Sequence, residues 1–231
     1  MRPSLTKPYL LGPFFLALWA ATLTPSKSVE PPSQPPTANS NAGPAVNLQA
    51  SPPIIWQDGV GEGFRSTVRT FSSELGLGLG IATFGSRQAH DFALASLSYG
   101  HMLGPVRGEG RWYRGNFERR LELFGGGQYS PSKEWLVGLT PHLRYNFATG
   151  TRWIPFLDGG AGVTATGIGH PDLSGTFEFN LQAGTGVHWF LRDNLALTTE
   201  VKYMHLSCAG IHHPNLGAND VVGMIGLTWF F

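Results

Sequence analysis

The sequence predicts an all-β protein, an eight-stranded antiparallel transmembrane β-barrel. Three observations point there. From residue 70 onward apolar and polar residues alternate in segments of roughly ten to fifteen residues, each closed by turn residues, the pattern of strands with lipid on one face and a lumen on the other. Charged residues are only 13% of the chain while aromatics reach 12% and glycines number 31, a balance that suits bent sheets and interfaces better than a solvated helical protein. Ahead of the alternating region lies an apolar run preceded by two basic residues, the layout of a secretory signal.

Taken in order, residues 1–28 read as that signal peptide: Arg2 and Lys7 precede the run YLLGPFFLALWAATL, and small and polar residues follow through Ser28. A retained anchor is the alternative, but the run is shorter than the ~20 residues of a spanning helix and contains Pro13. Residues 29–69 are rich in Pro, Ser, Asn and Ala and read as a flexible periplasmic linker, too poor in apolar residues to offset the entropy of ordering, although Ile54, Ile55 and Trp56 could dock locally. The barrel occupies 70–231. Its alternating segments fall near 70–83, 90–102, 117–129, 135–147, 153–168, 176–191, 194–207 and 220–231, separated by turn sequences such as SPSK, ATGT and RDN.

Alternation assigns the faces. In the sixth segment Phe177, Phe179, Leu181, Ala183, Val187 and Trp189 share one side, and Glu178, Asn180, Gln182 and His188 the other. In the third, Glu118, Arg120 and Glu122 alternate with Leu121 and Leu123. A water-soluble sandwich turns such charges outward and a membrane barrel turns them inward. The signal-like N-terminus, the aromatics near segment ends and the closing Trp229-Phe230-Phe231 favour a membrane barrel, and that ending resembles the C-terminal signal of bacterial outer-membrane barrels. About eight strands enclose a lumen that side chains fill, so the inward Glu, Arg and Lys residues are expected to form a paired polar core, not a channel.

The single cysteine, Cys208, excludes an intramolecular disulfide framework and any zinc site of several thiolates. A formal net charge of +1 without a basic stripe interleaved with aromatics argues against a nucleic-acid partner.

The chemistry gathers at the end of the seventh segment. His205 and Ser207 are two apart and share a face with Leu195, Leu197, Val201 and Tyr203, opposite Glu200 and Lys202. An even strand number and a periplasmic linker make odd strands run outward, so the pair is expected at the outer rim, facing the outer leaflet. Two readings of these residues stand: an interfacial girdle in which His and Ser mark the water boundary, or a serine nucleophile with a histidine general base. Competing motifs are weaker. His212-His213 lies in a loop without a carboxylate or thiolate at ligand spacing, and Ser130-x-x-Lys133 sits in a turn where chance matches are common.

The run H-L-S-C-A-G, the loop H-P-N-L-G and the final strand, with L-S-Y-G-H-M-L-G-P, R-G-N-F-E and E-L-F-G-G-G-Q upstream, resemble the PagL-like lipid A 3-O-deacylases, also called acyloxyacyl hydrolases. The resemblance covers most of 70–231. It implies an outer-membrane hydrolase that cuts an acyl ester of lipid A or lipopolysaccharide without metal or organic cofactor. It also implies Ser207 as nucleophile, His205 as general base, and an oxyanion hole of the Gly210 backbone N–H and the Asn215 side chain. The chain departs from that pattern twice. Cys208 replaces an Asn, and Asn219 stands where the family has the Glu that orients the histidine, with Asp220 beside it. By parity Asn219 faces outward with the pair and Asp220 faces the lumen, which favours Asn219 as orienter.

The expected function is therefore lipid A deacylation by a Ser/His mechanism at the membrane-facing rim, with lipid A as partner. The alternatives are a non-catalytic surface barrel serving adhesion or envelope integrity, and an esterase or phospholipase of other lipid specificity. Oligomeric state is not legible in the sequence.

Overall fold

The computed structural model describes residues 55–170 and 172–231. Eight strands run in chain order: β1 (Arg69–Gly80), β2 (Asp91–Met102), β3 (Gly115–Ser130), β4 (Glu134–Phe147), β5 (Trp153–Thr166), β6 (Phe177–Arg192), β7 (Leu195–Ser207) and β8 (Ala218–Phe230). Each pairs antiparallel with its neighbours, and β8 returns to β1 to close the barrel, from Thr70↔Phe230 to Gly80↔Asp220. The expected segments match these strands with small differences at their ends. One matters: β8 begins at Ala218, so Asn219 belongs to the sheet and is held in register opposite His205. The signal-peptide reading, and the linker reading up to residue 54, lie outside the described residues.

The faces are those of a membrane barrel. Leu75, Leu77 and Leu79 are about 60% exposed on the outside, whereas Glu118, Arg120 and Glu122 are at most 1% exposed. Their inward burial is the reverse of a soluble sandwich. Closure leaves no free sheet edge, which a lipid environment demands because no water is present to satisfy backbone N–H and C=O groups.

The lumen is filled in three tiers. The middle is ionic. Arg120 contacts Glu74 (3.1 Å), Glu122 (3.3 Å) and Asp158 (3.5 Å), and its Nε donates to the Ser98 hydroxyl (2.8 Å). Arg144 bonds Asp158 (2.8 Å) and Glu200 (2.9 Å) and lies 3.7 Å over the Phe156 ring. Lys202 reaches both Glu122 oxygens, and His142 sits between Asp158 and Glu122. Neighbouring glycines leave room for this: a Cβ at Gly100 would collide with the Glu118 carboxylate and the Thr70 hydroxyl.

Apolar layers seal the two ends. At the end from which β7 emerges towards the 208–217 connection, Leu173 and Ile168 from the β5–β6 connection pack with Phe92, Phe124, Met204 and Leu206. At the opposite end, which carries the start of β1 and the finish of β8, Ile55, Trp56, Phe64 and Val68 pack onto Met102, Ile154, Phe190 and Phe230. Trp56 stacks on Phe64 (4.8 Å), meets Phe190 edge-on (4.5 Å), and donates its indole N–H to the Asp193 carbonyl (3.0 Å). This corrects the linker reading for residues 55–69. Composition suggested a solvated segment, but four well-spaced apolar residues suffice once the barrel mouth supplies a complementary surface. The local docking expected of Ile55 and Trp56 is what the chain does.

Removing one partner from a buried ion cluster leaves the others uncompensated, at a cost of roughly 3–5 kcal/mol. Arg120→Ala is therefore expected to lower unfolding free energy by about that amount. Arg111→Ala, in an exposed turn, should change it by less than about 0.5 kcal/mol. Urea titration of protein refolded into lipid vesicles measures both, and equal effects would refute the assignment of the ionic tier.

Candidate active site

The pair foreseen at the end of β7 is assembled on the outer face. Strand alternation buries Met204 and Leu206 and leaves His205 and Ser207 half-buried between them. The His205 Nε2 lies 3.1 Å from the Ser207 hydroxyl, and its Nδ1 lies 2.7 Å from Asn219 Oδ1. His205 and Asn219 are direct cross-strand partners, so the backbone ladder fixes their separation. Asp220 points the other way. It is fully buried, and among the described residues neither carboxylate oxygen has a hydrogen-bond partner.

The Asn219 amide is held from three sides. Its Nδ2 donates to the Thr83 carbonyl (2.8 Å), which fixes which end of the amide faces the imidazole. Its Oδ1 accepts from the Tyr203 hydroxyl and from His205 Nδ1. A carbonyl oxygen can only accept, so Nδ1 carries the proton and Nε2 keeps its lone pair towards Ser207. A neutral amide thus selects the tautomer of the imidazole, a task a carboxylate performs in a Ser-His-Asp triad.

Two further elements shape the site. The β1–β2 connection folds over it through Thr83, and Phe84 meets Tyr203 edge-on at 6.5 Å. Gly217, at φ +77°, lies against the ring: a Cβ there would come within 2.9 Å of His205 Cε1. Its N–H and that of Leu216 both donate to the Asp172 carbonyl (2.9 Å each), tying the 208–217 connection to the β5–β6 connection. The sequence reading placed Tyr203 on the correct face but gave it no role. Thr83, Phe84 and Gly217 were missed because their importance depends on how the connections fold. The HPNLG match did include Gly217.

Of the two residues expected to form the oxyanion hole, Asn215 has its amide nitrogen engaged elsewhere. Asn215 turns inward, its amide nitrogen donating to Glu178 (3.0 and 3.2 Å) and to the Ser174 hydroxyl (3.2 Å). Gly210 sits in an exposed left-handed turn (φ +82°) after Ala209 (φ +53°), and its backbone is bonded to Cys208. Cys208 is buried, at the hub of this connection, with its sulfur also bonded to the His212 backbone. Burial pushes the thiol pKa up, but hydrogen bonds from Ser174 and from the His212 and Gly210 backbone outweigh it and hold the thiol below its ordinary value. Among the described residues, no group of three or more His, Cys, Asp or Glu side chains could hold a metal ion.

A serine hydroxyl facing the free lone pair of an oriented imidazole is the arrangement of acyl-transfer chemistry. Comparison with known proteins identifies the fold and the family. A search of curated proteins finds no match. Among solved structures, the barrel superposes on the outer membrane enzyme PagL with a TM-score of 0.50 at 19% identity, covering 66% of this chain and 97% of that one. Neisserial surface protein A gives 0.49 at 15% identity, covering 70% and 95%, and outer membrane protein OprG from Pseudomonas aeruginosa gives 0.45 at 14%, covering 75% and 99%. At 19% identity the likeness to PagL speaks for the barrel fold alone. The family model for lipid A 3-O-deacylase (PagL) matches residues 93–228, more than half of the chain and all of the strands that carry the pair. The chain belongs to the lipid A 3-O-deacylase (PagL) family, as a lipid A deacylase in the form of an eight-stranded β-barrel of the bacterial outer membrane.

Proposed function

We propose that this protein hydrolyses an ester-linked acyl chain of lipid A in the outer leaflet, with Ser207 as nucleophile, His205 as general base and Asn219 as the residue that orients the base. The observation that carries the reading is the continuous line Asn219 Oδ1, His205 Nδ1, His205 Nε2, Ser207 Oγ, with spacings of 2.7 and 3.1 Å across the ring, on a face otherwise given to lipid. The end of the barrel carrying both the 55–68 segment and the finish of β8 faces the periplasm, and β7 therefore delivers the pair to the outer rim. On neighbouring β6, Phe179 pairs with Ser207 and Leu181 with His205, and both are exposed, a surface along which an acyl chain can lie.

In the reaction Ser207 Oγ attacks the ester carbonyl as His205 Nε2 takes its proton. The tetrahedral intermediate collapses, and the same proton goes to the departing sugar hydroxyl. Water, deprotonated by His205, then attacks the acyl-serine, releases the fatty acid and restores Ser207. The Gly210 N–H and the Asn215 amide remain the oxyanion donors of this proposal. Asn215 serves only by exchanging Glu178 for the substrate, a rearrangement confined to the 208–217 connection.

Expression in a host of known lipid A composition should shorten its lipid A by one hydroxyacyl chain in mass spectra. Ser207→Ala or His205→Ala should remove the shift while heat-modifiable mobility in gels shows the barrel folded. Unaltered lipid A in the presence of folded native protein would end the proposal. A fluorophosphonate probe in detergent separates it from a non-catalytic surface barrel, because only a serine hydrolase is labelled at Ser207. An esterase or phospholipase of other specificity would instead show in the lipid products.

The neutral orienter makes its own prediction. Amide in place of acid costs about 10⁴ in turnover in a serine protease where the amide imposes the wrong tautomer. Here Thr83 and Tyr203 impose the productive tautomer, and what is lost is the charge that stabilises the imidazolium. Asn219→Asp is expected to raise kcat about tenfold or more. Tyr203→Phe, which frees one side of the amide, should lower kcat about tenfold with KM unchanged. A Tyr203→Phe variant with native kcat would show that the amide needs no such support.

A further inference from the structure

The outer face carries a second site at the other end of the barrel. Arg69 on β1, His101 on β2 and Arg119 on β3 form one row, with Arg69 directly opposite His101 and His101 directly opposite Arg119. Arg69 and Arg119 both act electrostatically on His101, whose Nδ1 is shielded from solvent and has no hydrogen-bond partner among the described residues. Two residues along each strand towards the membrane centre the row becomes Phe71, Tyr99 and Leu121, and beyond that Leu97 and Leu123. Together these side chains line an outward groove of about 560 Å³, cationic at the barrel end and apolar along its length.

The two guanidinium groups flank His101 from the neighbouring strands and make this end of the groove cationic. The cationic end of the groove is complementary in charge to an anion. Its depth says which kind. The Arg69 backbone pairs both ways with Phe231 (2.7 and 2.9 Å), and Trp229 stands opposite Phe71, so an interfacial aromatic row lies immediately on the membrane side of the cations. Guanidinium groups at headgroup depth match the geometry of a phosphodiester, and the apolar groove beyond matches an acyl chain. We propose that this groove binds an anionic glycerophospholipid of the periplasmic leaflet, its phosphodiester held by Arg69, His101 and Arg119 and an acyl chain laid along Phe71, Tyr99 and Leu121.

The leaflet assignment rests on the barrel orientation given above, while the binding itself does not. Native mass spectrometry of the full chain in neutral detergent, titrated with phosphatidylglycerol or phosphatidylethanolamine, is the test. Phosphatidylglycerol should bind about tenfold more tightly, as expected when charge-assisted contacts to the lipid are not offset by its own amine. The preference should vanish in Arg69→Gln/Arg119→Gln while fluorophosphonate labelling of Ser207 is unaffected. Equal retention of the two lipids by the native protein, or an undiminished preference in the double variant, overturns the proposal. Should the variant fail to fold, salt decides with the native protein alone: the preference must fall between 50 mM and 500 mM salt (roughly 14 Å to 4 Å in Debye length), and a constant preference rejects the site. Orientation is read separately from amine labelling of the exposed Lys133 turn on intact cells, so failure of the sidedness is distinguished from failure of the site.

Discussion

The structure depends on one constraint: in hydrocarbon every backbone N–H and C=O must find a partner within the protein. Pairing β8 with β1 meets it, and alternation then has no freedom left. Each strand residue faces either lipid or lumen, so the charges at alternate positions such as Glu118, Arg120 and Glu122 on β3 and Glu200 and Lys202 on β7 are brought together in a buried space. The ionic tier around Arg120 and Arg144 answers that crowding. The same alternation presents His205 and Ser207 to the lipid side, where a polar pair serves no packing purpose.

In the proposed site an amide, Asn219, stands where an acid would serve. A carboxylate supplies two things to a catalytic histidine, a tautomer and a charge. Asn219 supplies the first because its neighbours leave it one orientation, with Thr83 taking the amide N–H and Tyr203 donating to the oxygen. The second is not supplied by an amide, and the neighbouring carboxylate, Asp220, is buried on the other face of the sheet.

Much of this was legible in the sequence because a period of two is a strong signal when one face meets lipid. It gave eight strands, their order, and the shared face of His205, Ser207 and Asn219. What it did not give came from three sources. Residues 55–68 are sparse in apolar side chains and look like linker, yet Trp56 and Phe64 find a matched surface that exists only after the barrel closes. The connections obey no period, so the seat of Asn215 on Glu178, the hub at Cys208 and the contact of Gly217 with the imidazole needed the folded chain. The row of Arg69, His101 and Arg119 was invisible for a third reason: its members are far apart in sequence and meet only through strand register.

The three filled tiers of the lumen have a consequence for the cell. An outer membrane is useful as a permeability barrier, and each open barrel inserted into it is a conductance. Here Trp56 and Phe64 close one mouth, Leu173 and Ile168 the other, and paired ions occupy the space between. A lumen packed in this way contrasts with the open, water-filled interior of a porin.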